Sequence, residues 1–315
     1  MPETNQGVDL SIVIVTYNGR EVALQTLDSF QQVIAADPEH RYEIIVVDNA
    51  SQDGVANAVA DTVWPLADVR LIRNDENLGY SKANNIGYRA SCGRYLLFSN
   101  PDIEVNEKTL PTLFALMDAE PQVGACTPFL ELVKTGGIDW GAHRGFPTPW
   151  ASFTYMSGLA RLFRFSKPLS RVFGRYHLLD RDLARPHPVD AIRGGFFFVR
   201  REVFEEAGCW DEDYFMYGED LDLCFVIKQL GHSIMFYPQA RALHYHGLTT
   251  GLKAHSQELS SVDEAARRKA YFAFYDTMKI FYDKHYRRRY GPLVRWLVFA
   301  AVDARKRIGM RRQIV

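Results

Sequence analysis

The chain has 315 residues, 47% of them apolar and 24% charged, with a formal net charge of -1. That length buries one large domain or two modest ones, and the near-neutral balance excludes the basic bias of a nucleic-acid-binding chain. Four cysteines with no C-x-x-C spacing exclude a zinc knuckle or a disulfide framework and fit a reducing compartment.

Residues 1–10, MPETNQGVDL, lack the basic-then-apolar order of a secretory leader, so none is expected there. LSIVIVTY then reads as a strand, and REVALQTLDSFQQVI as a helix, with Val22, Leu24, Leu27 and Phe30 at helical spacing. YEIIVVDNAS and VRLIRN are further strands, SKANNIGYRASC is a helix, and RYLLF is a fourth strand. Strands alternating with helices predict an α/β fold, a mostly parallel central sheet flanked by helices. Ligands of such sheets bind beyond the carboxyl ends of the strands, where polar corners stand at 16–18, 48–53, 74–79 and 100–102. Between Leu130 and Val189 the pattern is irregular, with the basic amphipathic stretch 161–185. Strand and helix signals return in AIRGGFFFVRREVFEEAG, WDEDYFMYGEDLDLCFVIKQLG and HSIMFYP. The last fifty residues read as helical and basic; their longest apolar run, LVRWLVFAAV, is too short to span a bilayer. A cytoplasmic protein, peripheral at most to a membrane, is expected.

The first strand is not followed by the Gly-rich turn of a dinucleotide fold or a P-loop, which argues against a dehydrogenase or an ATPase. Each polar corner alone is explained by turn chemistry, because Asp, Asn and Ser favour strand ends. Several such corners at consecutive strand ends point instead to a nucleotide site, with Asp48 able to accept from a base N–H or a ribose hydroxyl. In Asn100-Pro101-Asp102 the proline ends the strand, and the acid is either the turn residue or a ligand. The cluster Asp211-Glu212-Asp213 … Glu219-Asp220-Leu221-Asp222 suits a helix N-terminus, yet Tyr214, Phe215 and Tyr217 among the acids suggest burial and a raised pKa suited to a base. His244 and His246 share one face if ALHYH is a strand, a weak metal signal that a carboxylate such as Asp102 would complete. Arg161, Arg164, Lys167, Arg171 and Arg175 alternate with Leu162, Phe163, Phe165, Val172 and Phe173. That pattern fits a solvated helical face or an anionic membrane surface.

Together, SIVIVTYNG, EIIVVDNASQDG, NDENLGYSKANNIGYRASCGRYLLFSNPDIEV, GGFFFVRREVFEEAGCWDEDYFMYGEDLDLC and YPQARALHYHG resemble the inverting family 2 glycosyltransferases over residues 9–250. Among these the chain is most similar to the rhamnosyltransferase-like subgroup, which carries Asn-Pro-Asp where relatives carry Asp-x-Asp. The resemblance implies a GT-A fold, a Rossmann-like nucleotide-binding half joined to an acceptor half. Residues 1–260 would form this domain, divided at about 9–130, 131–190 and 191–260, with 261–315 a basic helical C-terminal extension.

By the same resemblance, Thr16, Tyr17, Asn18, Asp48 and Asn49 cradle the nucleoside, and Asn77 and Gly79, with Lys82 or Asn84, flank the donor. Asp102, beside Asn100, binds a divalent metal (Mn²⁺ or Mg²⁺) with His244 as second ligand; whether His246 also binds is open. Asp220 is the general base, with Glu219 beside it. The implied reaction moves a sugar, L-rhamnose, from a dTDP- or UDP-sugar to a glycan or lipid-linked acceptor. Alternatives are a catalytically silent scaffold in a glycan-assembly complex and a nucleotidylyltransferase, though TYNGRE is a poor phosphate loop. Oligomeric state is open, a homodimer included.

Overall fold

A computed structural model describes residues 7–245 and 264–313. The elements in chain order are β1 (Leu10–Thr16), α1 (Arg20–Ala36), β2 (Tyr42–Asp48), α2 (Val55–Asp61), β3 (Asp68–Arg73), α3 (Tyr80–Arg89), β4 (Tyr95–Ser99), β5 (Ile103–Val105), α4 (Thr109–Ala119) and β6 (Val123–Leu132). Then come α5 (Pro149–Met156), α6 (Leu159–Leu162), α7 (Lys167–Phe173), β7 (His187–Val189), β8 (Phe196–Arg200), α8 (Arg201–Glu206), α9 (Glu219–Gln229), β9 (Ser233–His244), α10 (Glu264–Phe281) and α11 (Pro292–Gln313).

One sheet runs β3-β2-β1-β4-β8-β6-β9-β5, with β7 also on β9. The β3-β2-β1-β4 half is wholly parallel, as the βαβ pattern predicts, and β6 and β9 are parallel too. β8 lies antiparallel between β4 and β6. The central parallel strands β1, β2 and β4 are buried on both faces, while the edge strand β3 is partly exposed. Ile12 and Ile14 of β1 join Leu27 and Phe30 of α1 in one core cluster, and Val13 joins Phe98 and Val199 in another.

Parallel pairing aligns the strand ends. Thr16 pairs in register with Asp48, and Asp48 with Arg73, so three polar corners share one edge. β8 enters from the opposite direction, and its first residue, Phe196, is in register with Ser99 at the end of β4. The Arg193-Gly194-Gly195 segment before β8 therefore lies on that same edge. β5 is a strand of three residues that the sequence pattern does not reveal; it pairs antiparallel with the end of β9, Ile103 opposite His244.

The described part of the C-terminal extension packs on the second half of the domain. After α10 the chain makes a π-helical turn, Tyr282–Tyr286; its buried Tyr282 and Tyr286, with Phe281 at the end of α10, cluster with Leu221 and Phe225 of α9. Polar bonds latch the same contact. Buried Asp222 receives Lys284 Nζ at 2.7 Å and His285 Nε2 at 2.6 Å. Burial works against ionisation of Asp222, but these two partners outweigh it and hold its pKa below the usual carboxylate range.

α3 reaches the sheet through Gly87, where a Cβ would stand 2.4 Å from Val13 Cγ1. Gly87→Ala gains about 1 kcal/mol of helix propensity. A contact that short against a β-branched residue at the centre of β1 forces a backbone shift, costing about 1–3 kcal/mol. The clash wins, so chemical denaturation is expected to show a lower midpoint with an unchanged slope; a raised midpoint would mean that α3 does not lie on β1 this closely.

Candidate active site

The nucleotide-side corners form one bonded array. Thr16 Oγ1 donates to Asp48 Oδ1 at 3.2 Å, and Ser51 N donates to Asp48 Oδ2 at 3.3 Å. Asn18, at φ 60°, accepts from Gln52 N through Oδ1 at 2.9 Å and donates its own N–H to Ser51 Oγ at 2.8 Å. The left-handed conformation turns the chain from β1 into α1, and Asn tolerates it better than bulkier residues do. Tyr17 is half-buried at the same corner. Asn49 ties the second corner to the third: its amide donates to Asn77 Oδ1 at 2.9 Å, and its oxygen accepts from Leu78 N at 3.1 Å. Gly79 sits against Phe215, where a Cβ would meet the Phe215 carbonyl at 2.3 Å, so no side chain fits there. Of the two residues expected on the following helix, Lys82 is exposed. Asn84 is fully enclosed, its amide donating to the Tyr80 carbonyl at 2.9 Å.

Asn100 and Asp102 stand at the centre of the edge. Asn100 N donates to Gly195 O at 2.8 Å, and a Cβ on Gly195 would come 2.7 Å from Asn100 Nδ2. Asp102 is 1% exposed, and its Oδ1 lies 3.4 Å from His244 Nε2, a meeting made by the short β5–β9 pair. The other ring nitrogen of His244, Nδ1, bonds Asp139 Oδ2 at 2.7 Å. Asp139 also accepts from Arg193 Nη1 at 2.6 Å and from Gly141 N at 2.9 Å. Burial opposes the charge on Asp139, but Arg193 and His244 outweigh it and hold that carboxyl well below its usual range. Burial likewise opposes a proton on His244; the Asp102 charge and the bonds to both acids outweigh it, and the imidazole pKa is raised. His246 lies outside the described residues.

The acids of α9 divide three ways. Asp220 Oδ2 accepts from Arg144 Nη2 at 2.7 Å and from Gly194 N at 3.2 Å, while Oδ1 accepts from Leu221 N at 2.7 Å. Burial works against the charge on Arg144, and the Asp220 carboxylate more than restores it. Glu219 is buried, its Oε2 has no hydrogen-bond partner among the described residues, and its pKa is pushed up to about 8 by burial and by the neighbouring Asp220. Asp222 faces the C-terminal extension instead of the cleft.

Asp102, His244 and Asp220 thus reach one edge, linked through three consecutive residues. Arg193 binds Asp139, Gly194 binds Asp220 through N–H and Tyr80 Oη through its carbonyl at 2.7 Å, and Gly195 binds Asn100. Sequence reasoning missed Asp139, Arg144 and Arg193, and also Tyr80. Asp139 and Arg144 lie in the stretch read as irregular, and Arg193 had only its place before two glycines as a signal. A hard divalent cation suits the donors at Asp102 and His244: a carboxylate and an imidazole whose far nitrogen is fixed by a second carboxylate, an arrangement common around metal-binding histidines.

The sequence matches the family description "Glycosyl transferase family 2" over residues 11–208. It is 26% identical over 253 residues to the N-acetylglucosaminyl-diphospho-decaprenol L-rhamnosyltransferase of Mycobacterium tuberculosis, covering 77% of this chain and 78% of that one. It is 28% identical over 221 residues to the low-salt glycan biosynthesis hexosyltransferase Agl10 of Haloferax volcanii, covering 69% of this chain and 61% of the relative. In fold it is similar to GalNAc-T7, solved with UDP, GalNAc and Mn²⁺, with a TM-score of 0.56 at 20% identity over 90% of this chain and 59% of that one. It is also similar to the mannosyltransferase PcManGT of Pyrobaculum calidifontis, solved with GDP-Man and Mn²⁺, with a TM-score of 0.54 at 18% identity over 97% and 72%. With the fold, the strand-edge corners and these matches in agreement, the chain belongs to glycosyl transferase family 2: it is a glycosyltransferase of GT-A fold.

Proposed function

We propose that the protein transfers L-rhamnose from dTDP-rhamnose, with inversion, to a lipid-linked saccharide presented at the cytoplasmic face of a membrane. The observation that carries this reading is the Arg193-Gly194-Gly195 link, which holds Asp220 within one short segment of the Asp102–His244 pair. Support for rhamnose and for a polyprenyl diphosphate acceptor comes from the mycobacterial relative's name, and support for a nucleotide-bound donor from the solved neighbours.

In this reading Thr16, Tyr17, Asn18, Asp48 and Asn49 hold the nucleoside, and Asn77, Gly79, Lys82 and Asn100 border the diphosphate and sugar, while the enclosed Asn84 holds the start of α3 through Tyr80. Asp220 accepts the proton of the acceptor hydroxyl as its oxygen bonds to C1 and the C1–diphosphate bond breaks. Arg144 and Gly194 fix the carboxylate that does so. Asp102 and His244 would hold a Mn²⁺ or Mg²⁺ ion, which when bound offsets the negative charge developing on the leaving diphosphate. Among the described residues no group of three or more His, Cys, Asp or Glu side chains converges as a metal site. With two protein ligands, such an ion would depend on the donor's phosphates and on water for the rest of its shell. Asp139 is a positioning residue, because it sets the ring of His244 and turns Nε2 towards Asp102. Glu219, protonated below about pH 8, adds no second negative charge beside the base.

Thermal-shift titration with dTDP-rhamnose, UDP- and GDP-sugars in Mn²⁺ should give the largest stabilisation with dTDP-rhamnose; preference for another donor would sink the rhamnosyl assignment. Asp220→Asn should lower transfer to a polyprenyl-diphosphate GlcNAc acceptor by about 10²–10⁴-fold with donor affinity unchanged. Unaltered turnover removes Asp220 as base, whereas a wild type that binds donor and transfers nothing would favour the silent-scaffold reading. Asp139→Asn should weaken Mn²⁺ binding in the presence of dTDP by about 10–100-fold in calorimetry, and Asp102→Ala should abolish it. Wild-type Mn²⁺ affinity in both variants would show that neither residue serves the metal.

A further inference from the structure

Two stretches far apart in sequence, α5–α7 and α11, meet at the surface. Both expose large apolar side chains that the fold leaves uncovered. On the first, Phe165 is 84% and Leu162 67% exposed, and Trp150 and Phe153 about half. On α11, Leu293, Trp296, Leu297, Ala300, Ala304 and Ile308 are all exposed. At about 100° per residue they form one stripe, opposite the buried Val302. Arg305 falls on one flank of that stripe, and Arg307 within the stripe near its C-terminal end. Arg305 Nη2 donates to the carbonyl of Met156, the last residue of α5, at 3.2 Å, so the stripe adjoins the α5–α7 region.

Charge decides what would cover this face. No Asp or Glu occurs between residues 140 and 179, a stretch that holds Arg144, Arg161, Arg164, Lys167, Arg171 and Arg175. The last five are exposed, and among the described residues only Arg171 meets a carboxylate, Asp180 at 3.5 Å. A second copy docked face to face would set these cations against themselves. An anionic bilayer instead accepts the aromatic and aliphatic side chains at the headgroup–acyl boundary and pairs the cations with phosphates. No helix among the described residues is long and apolar enough to cross a membrane, so this contact lies in the interface plane.

We propose that α5–α7 and α11 form one docking face for an anionic lipid bilayer, and that the face is continuous with the acceptor side of the active site. The continuity is covalent and bonded. Arg144, which holds Asp220, is followed directly by Gly145, whose N–H donates to Tyr176 O at 3.0 Å beyond α7, and α5 begins four residues later. A saccharide on a lipid diphosphate held at this face would therefore approach the carboxylate from the bilayer side. This rests on the lipid-linked acceptor of the proposed function, but vesicle binding is read without acceptor or transfer, so the two can fail separately.

The test is co-sedimentation of the full chain with phosphatidylcholine vesicles, with and without phosphatidylglycerol. The wild type should bind only the anionic vesicles, and less as salt rises. Arg161→Ser with Arg164→Ser and Lys167→Ser should reduce the partition coefficient by about 100-fold, near fivefold for each charge removed. Trp296→Glu with Leu297→Glu should reduce it independently, removing apolar insertion. Both variants change exposed side chains and should keep wild-type thermal unfolding and donor binding. Equal partition of wild type and the triple variant, or equal binding to neutral vesicles, overturns the proposal. So does a wild-type dimer that Trp296→Glu converts to monomer without any vesicle binding.

Discussion

The active edge depends on one backbone constraint: Arg193, Gly194 and Gly195 must pass between two groups of buried acids with almost no room to spare. A Cβ on Gly194 would lie 3.2 Å from the Tyr80 ring, and one on Gly195 would collide with Asn100. With glycine there, the backbone itself can bond both neighbours, donating to Asp220 and accepting from Tyr80 and Asn100. Arg193 then extends to Asp139, which fixes His244 beside Asp102. Lose the close approach, and the candidate base and the candidate metal pair are no longer held in one frame.

Buried charge in this frame is balanced locally. Asp220 faces Arg144 and Asp139 faces Arg193, each at hydrogen-bonding distance, so neither acid is an isolated ion in a medium where isolated ions are costly. Asp102 has the His244 imidazole beside it, and Glu219 answers its surroundings by holding its proton. The two arginines come from segments outside the first βαβ half: Arg144 from the stretch between β6 and α5, Arg193 from the approach to β8. The nucleotide half alone would therefore present Asp102 without the partners that organise its surroundings.

Much of this was legible in the sequence, for physical reasons that also mark where legibility ends. Parallel strands buried on both faces leave uninterrupted apolar runs, and SIVIVT, YEIIVVD and YLLFS announce β1, β2 and β4 directly. The corners after them stood out because polar residues follow apolar ones abruptly. β5 has only three residues, too few for a periodic signal, yet its pairing with β9 brings Asp102 to His244. Asp139 and Arg144 lie where irregular backbone carries no pattern at all, and their roles come from long-range pairing across 105 and 76 residues. The resemblance to family 2 supplied residues by motif, and a residue that works by supporting a motif residue falls outside it.

The acidic run at the start of α9 shows why neighbouring acids can belong to different parts of the protein. Successive residues point about 100° apart around a helix, so Asp220 and Asp222 face nearly opposite sides. Asp220 turns to Arg144 and the cleft; Asp222 turns to Lys284 and His285. Tyr214 Oη also donates to Asp222 at 3.3 Å, and Phe225, one turn on, packs against Phe281 and Tyr286. One face of the helix thus carries the candidate base while the other anchors the C-terminal extension. The same extension leads into α11 and its exposed stripe, so the helix that carries Asp220 and the stripe belong to one packed unit. Lys284 and His285 thus bear on the helix that carries the candidate base, although neither bonds the cleft edge itself.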